Sequence, residues 1–155
     1  MRIIEKKESI RIILDHHSLE KYNKLYFKLH PRATKKPIEE PFHPSINTWM
    51  IMKRPAMNRL KGVWKDYIVW LMKDLDLAGY GIDQCDMKFI MYFPTKARHD
   101  PDNNSPKFLM DGLTESGFIV DDDGKHIKSL TLVCDYDKAY PRTEIEITNI
   151  VLKEN

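Results

Sequence analysis

The feature that most constrains this chain is a 28-residue acidic stretch from His99 to His126, which holds Asp100, Asp102, Asp111, Asp121, Asp122 and Asp123. Carboxylates gathered in one small volume repel each other unless a cation sits among them. The stretch must therefore spread its acids over solvated turns or fold around positive charge. Asp100 and Asp102 flank a proline, and Ser105-Pro106 reads as a helix opening with serine as N-cap and proline at N1. A helix over 106–115 places Lys107 and Asp111 four residues apart on one face. Gly117 ends that helix, and Phe118-Ile119-Val120 reads as a short strand delivering the run Asp121-Asp122-Asp123. Such a hairpin-like unit folds the two acidic clusters towards each other.

Oxygen ligands without cysteine, and with few histidines, suit a hard divalent ion: Mg²⁺, with Mn²⁺ as the second choice. Lys107 near those acids would meet the charge that develops on a phosphodiester during in-line attack. The chemistry points to metal-dependent phosphodiester cleavage or phosphoryl transfer. Two plainer readings compete. Asp121-Asp122-Asp123-Gly124 alone is good hairpin-turn chemistry. Asp100, Asp102, Asn104 and Asp111 also fall at positions 1, 3, 5 and 12 of a calcium loop, but Ser105 replaces that loop's glycine and Asp111 its glutamate.

Taken together, Asp100-x-Asp102-Asn103, a following lysine, Asp111-Gly112-Leu113 and Gly117-Phe118-Ile119-Val120-Asp121-Asp122 resemble the RusA family of Holliday-junction resolvases. The likeness is densest over 99–127 and extends over about 44–148, where Pro44-Ser45-Ile46-Asn47 looks like the family's opening loop. It implies a RusA-like fold and a homodimeric, Mg²⁺-dependent endonuclease that resolves four-way DNA junctions in recombination and repair. By position it implies Asp100, Asp102 and Asp122 as the essential acids, with Asp121 beside Asp122 in the metal-binding pair. Lys107 takes the place of the family's lysine, one residue further from Asp102. Asp111 would then hold Lys107 or a metal-bound water. The reading from a different class is a non-catalytic junction-binding module with the same acidic pocket.

The chain has 155 residues, 42% of them hydrophobic, which suits one ordinary domain. A net charge of +2, from 25 basic and 23 acidic residues, does not announce nucleic acid, so any DNA contact must come from segregated charge. Lys53, Arg54, Arg59 and Lys61 gather before and along a long helix, and Lys96 and Arg98 precede the first acids. These are the candidate phosphate contacts; a solvated surface is the alternative.

Residues 2–14 read as one or two strands around a charged turn, and 18–29 as a helix with Ser18 as N-cap. Residues 31–44 carry four prolines and read as a mobile loop, which makes 1–43 an N-terminal extension to a nuclease core of 44–155. In the core, 55–77 is a helix burying Leu60, Trp64, Tyr67, Leu71 and Leu75, stopped by Gly79 and Gly81. Residues 86–93 are a strand, and 127–134 and 143–152 alternate as antiparallel strands. The class is α+β, with a mixed or mainly antiparallel sheet and two or three helices. Cys85 and Cys134 lack metal spacing, no histidine pair has zinc spacing, and neither a leader nor a membrane-length apolar run is evident. A reduced, cytoplasmic setting without a membrane partner is expected.

Overall fold

The computed structural model describes residues 9–154. Residues 2–8 of the first expected strand region lie outside them. Strand β1 (Ser9–Asp15) alternates, sending Ile10, Ile12 and Leu14 into the core and Arg11 and Ile13 outward. Helix α1 (His16–Leu29) follows at once because Asp15 is a strong N-cap. Its Oδ1 accepts from Ser18 N–H at 2.9 Å, while Ser18 Oγ accepts from Asp15 N–H at 3.2 Å. This reciprocal box corrects the expected cap: Ser18 stands one turn inside the helix, and Asp15 has the extended backbone a cap needs. Ser18 Oγ also meets the buried Tyr67 hydroxyl at 2.7 Å, tying the cap to the core.

The proline-rich segment after α1 is a loop, as expected, and it packs on the core at Ile38 and Pro41. Ile38 is buried, its carbonyl accepts from Asn23 Nδ2 at 3.1 Å, and Thr143 Oγ1 donates to the Pro41 carbonyl at 2.6 Å. A short helix, α2 (Ile46–Trp49), then precedes the long α3 (Arg54–Asp74). Trp64, Tyr67 and Leu71 form the buried stripe of α3, but Leu75 is 43% exposed. The helix has already ended there, because Asp76 takes φ +58° and the N–H groups of Leu77 and Asp76 return to the Met72 and Lys73 carbonyls. Gly79 and Gly81, the expected stop, instead shape the turn into the next strand.

Strand β2 (Ile82–Phe93) begins four residues before the expected start at Asp86 and is the centre of the sheet. It pairs parallel with β3 (Ile127–Tyr136) and antiparallel with β4 (Arg142–Leu152), which pairs antiparallel with β1. The order β1-β4-β2-β3 makes a mixed sheet, and with the four α-helices among the described residues the fold is a single α+β domain. β3 and β4 run in opposite directions as expected but do not pair, since β2 lies between them. β3 is an edge strand and largely exposed.

Helix α4 (Lys107–Glu115) crosses α3 at Gly112, where an added Cβ would stand 2.5 Å from the Ile68 Cβ. Gly117, at φ +74°, ends α4 as the sequence predicts, with the N–H groups of Phe118 and Gly117 returning to Leu113 and Thr114. The next three residues are not a strand. Ile119 makes a single parallel bridge to Ile82, flanked by Ile82 N–H to Phe118 O and Val120 N–H to Ile82 O. Among the described residues no helix is long and apolar enough to cross a membrane.

Candidate functional site

The acids occupy two loops joined by α4. The first loop leaves the end of β2 and makes a single 3₁₀ turn, Pro101–Asn103. It is fastened from several sides. The Asp100 carbonyl accepts from Asn103 N–H at 3.0 Å and from Asn104 Nδ2 at 2.9 Å. Asn104 is buried, and its own carbonyl meets His43 Nε2 at 2.8 Å. Asn103 Oδ1 accepts from the backbone N–H of Asn47 at 3.0 Å. Two residues of the Pro44-Ser45-Ile46-Asn47 neighbourhood thus fix the frame from which Asp100 and Asp102 project. Asp100 Oδ1 accepts from Arg98 Nε at 3.1 Å, and the Asp102 carboxylate is exposed with no side-chain partner.

The helix start differs from expectation. Pro106, at φ −86° and ψ 37°, is the N-cap position, and Lys107 opens the helix, so Ser105 supplies no cap. Pro106 has no N–H of its own, and no side chain caps the N–H groups of the first turn. Lys107 is exposed and touches neither Asp111 nor Asp102. Asp111 faces α3 instead, with Lys61 Nζ 3.5 Å from its Oδ2. That distance and geometry make an ion pair but no hydrogen bond, and the same Oδ2 is shielded from solvent with no donor.

In the second loop, Asp121 Oδ1 accepts from Asp122 N–H at 2.8 Å. Asp123 is a turn residue: its Oδ1 receives the N–H groups of Lys125 and His126 at 3.1 and 3.2 Å. His126 Nδ1 then anchors the turn on the Asp83 carbonyl at 2.7 Å. Desolvation pushes the Asp122 carboxyl above its ordinary range, and the neighbouring carboxylates of Asp121 and Asp111 push it further. Asp111, Asp121 and Asp122 therefore share one electrostatic neighbourhood. No hydrogen bond or ion pair joins them to Asp100 or Asp102. The strand register separates the loops: β2 and β3 pair Cys85 with Ile127 and Phe93 with Tyr136, so the two loops leave opposite ends of β2. Among the described residues, no three His, Cys, Asp or Glu side chains converge closely enough to hold a metal ion.

The donor set nevertheless fits a hard cation. It is all oxygen, one carboxylate oxygen is buried without a donor, and Asp122 is crowded by like charge. The basic candidates divide by position. Lys61 turns towards the acids, whereas Arg59 lines a groove of about 560 Å³ between α1 and α3 with Tyr22, Tyr26 and Trp70. Lys53 and Arg54 are exposed at the start of α3. Lys96 Nζ lies 5.3 Å from the Tyr136 ring centroid, and Arg98 serves Asp100.

Sequence reasoning missed His43, Asn104 and the pairing of Lys61 with Asp111. No local pattern announces contacts spanning some fifty to sixty residues of chain. The one available hint was a histidine just before the Pro-Ser-Ile-Asn loop. No protein-family model matches this chain, and no curated protein matches it with significant similarity.

Proposed function

We propose that this chain is a Mg²⁺-dependent, structure-selective endodeoxyribonuclease that resolves four-way DNA junctions, as its resemblance to the RusA family implies. The observation that carries the reading is the crowding of negative charge around α4, where Lys61 pairs with Asp111 while Asp121 and Asp122 have no ion-pair partner among the described residues. Burial, and then the carboxylates of Asp121 and Asp111, raise the Asp122 carboxyl above its ordinary value, and Asp111 Oδ2, ion-paired with Lys61 at 3.5 Å, accepts no hydrogen bond. Such a cluster is stabilised by a divalent cation. The resemblance implies Asp100, Asp102, Asp121 and Asp122 as the ligands; since the two pairs leave opposite ends of β2, an ion at the second loop would rest on Asp121 and Asp122 beside Asp111, with Mn²⁺ able to replace Mg²⁺. When bound, the ion lowers the pKa of a water and stabilises the leaving oxygen.

The chain's own residues do the rest. The hydrogen bonds from His43 and Asn47 fix the loop that carries Asp100 and Asp102. Lys107, exposed at the start of α4, is free to meet the transition-state charge of a phosphodiester. Asp111 and Lys61 form the support beneath. Lys53, Arg54, Lys96 and Arg98 add salt-sensitive phosphate contacts, with Lys61 and Arg59 on the two flanks of α3. One chain carries one acidic constellation, and resolution needs two incisions, so the working unit is a C₂ homodimer in a reduced, cytoplasmic setting.

The test is cleavage of a synthetic four-way junction and of a linear duplex, each with and without Mg²⁺, alongside sedimentation of the protein. Paired cuts in the junction alone, only with Mg²⁺ and by a dimer, are expected. Junction binding without any cut would assign the non-catalytic module instead.

A further inference from the structure

Beside the first acidic loop lies a polar pocket of about 480 Å³, bounded on one side by residues 43–48 and on the other by 98–104. Three features mark it as more than a surface dent. The first is a ring stack. Phe93 stacks on Phe42 with centroids 4.7 Å apart and on His99 at 3.6 Å with planes 7° apart. Two rings cannot share one face of Phe93, so His99 is the outer member, and it is exposed. His99 lines both this pocket and the neighbouring one beside residues 95–97 and 134–136, and its exposed imidazole is the aromatic surface at the pocket wall.

The second feature is a rim of donors. Ser45 Oγ and Thr48 Oγ1 lie 3.0 Å apart, and Arg98, whose side chain is 88% exposed, uses only its Nε on Asp100. Asp100 is the one acid on the wall, and Arg98 meets its charge. The third is an orphan. His43 is 4% exposed, and its Nε2 faces a carbonyl, so that nitrogen carries the proton and Nδ1 is a bare acceptor. Nδ1 is buried and has no donor. Such a group is costly unless something supplies its hydrogen bond.

We propose that this pocket receives one unstacked nucleotide of a DNA strand, its base on the exposed imidazole of His99 and its phosphate at Ser45, Thr48 and Arg98. The proposal deepens the nuclease reading and rests on it for the choice of DNA. The volume accommodates a nucleotide, the platform suits any base, and hydroxyls with a guanidinium suit a phosphate. A rigid duplex offers no such nucleotide; a distorted or branched one does. The pocket thereby makes unstacking beside the acidic loop the structural feature that is read.

The probe is a short single-stranded oligodeoxynucleotide carrying 2-aminopurine, titrated in EDTA so that no cleavage occurs. Stacking on His99 should quench its fluorescence. His99→Ala should weaken binding about tenfold and remove the quenching, whereas His99→Phe should retain both. Unquenched binding, no binding, or a His99→Ala variant that matches the native protein would each overturn the proposal. Junction cleavage is scored separately with Mg²⁺. Quenching by a protein that cuts nothing would keep the pocket and remove the nuclease; cleavage by a protein that neither binds nor quenches the probe would do the reverse.

Discussion

The two acidic loops of this protein are held by different means. The loop of Asp100 and Asp102 is fastened from outside, by His43, by the Asn47 backbone and by the buried Asn104, and Arg98 offsets its charge. The loop of Asp121 and Asp122 is fastened largely by its own turn, through Asp121 Oδ1 and Asp123 Oδ1, with His126 as the anchor. Its Asp122 carboxylate feels that of Asp111, which is ion-paired with Lys61. The first loop is thus built for position and the second carries the unmet charge. A cation has more to gain at the second, and a substrate has more to read at the first.

The largest effects should come from the acids themselves. Asp102→Asn and Asp122→Asn each keep side-chain volume and remove a charge. Each should cut junction cleavage on the order of a thousandfold while leaving folding and junction binding intact. Normal cleavage by either purified variant would break the assignment of that loop.

Next comes the helix between the loops. Gly112→Ala drives a methyl into Ile68 at a helix crossing, so α4 must shift or the core must strain. A loss of about 1–3 kcal/mol in denaturant unfolding is expected, together with a weakened Lys61–Asp111 pair. Unchanged stability would mean that the crossing is looser than its geometry indicates.

His43→Ala leaves the Asn104 carbonyl without its donor and should cost about 1–3 kcal/mol. Its effect should be confined to the first loop, so amide exchange should quicken at Asn103 and Asn104 but not at Asp122 or His126. Equal loosening of both loops would erase the contrast between them.

How much of this was legible in the sequence depends on the range of the contacts. Gly117 was readable because a helix end followed by positive φ favours glycine. The cap of α1 was half readable: Asp15 and Ser18 are both capping residues, and only the strand running up to Asp15 decides between them. The stop at Asp76 was hidden, since aspartate rarely takes positive φ and two glycines stood just beyond it. Alternation in 143–152 revealed a strand but not its neighbours, and sheet order is set by which faces bury together. The acids announced themselves by crowding. Their partners, Lys61 and His43, did not, because they lie some fifty to sixty residues away along the chain.

The smallest effects are in acid titration, where two aspartates should behave oppositely. Burial pushes the Asp15 carboxyl up, but hydrogen bonds from Tyr140 and Ser18 outweigh it and hold it below its ordinary value. Its stabilising contribution is present above the unfolded-state value and is lost as pH falls through the lowered folded one. Asp122 is raised, so in metal-free protein its repulsion is present above the folded value and is relieved as pH falls through it. Carboxyl NMR titration should show both directions, and Asp111→Asn should return Asp122 towards its ordinary range. A rise in Asp122 on that substitution would contradict the shared neighbourhood.

The most direct test of the central claim, that these loops form a divalent-cation site, is calorimetric titration of Mn²⁺ into the native protein and into Asp122→Asn. Saturable binding by the native chain, displaced by Mg²⁺ and lost in the variant, is the expected result. Equal binding by both proteins, or heat from neither, would contradict it.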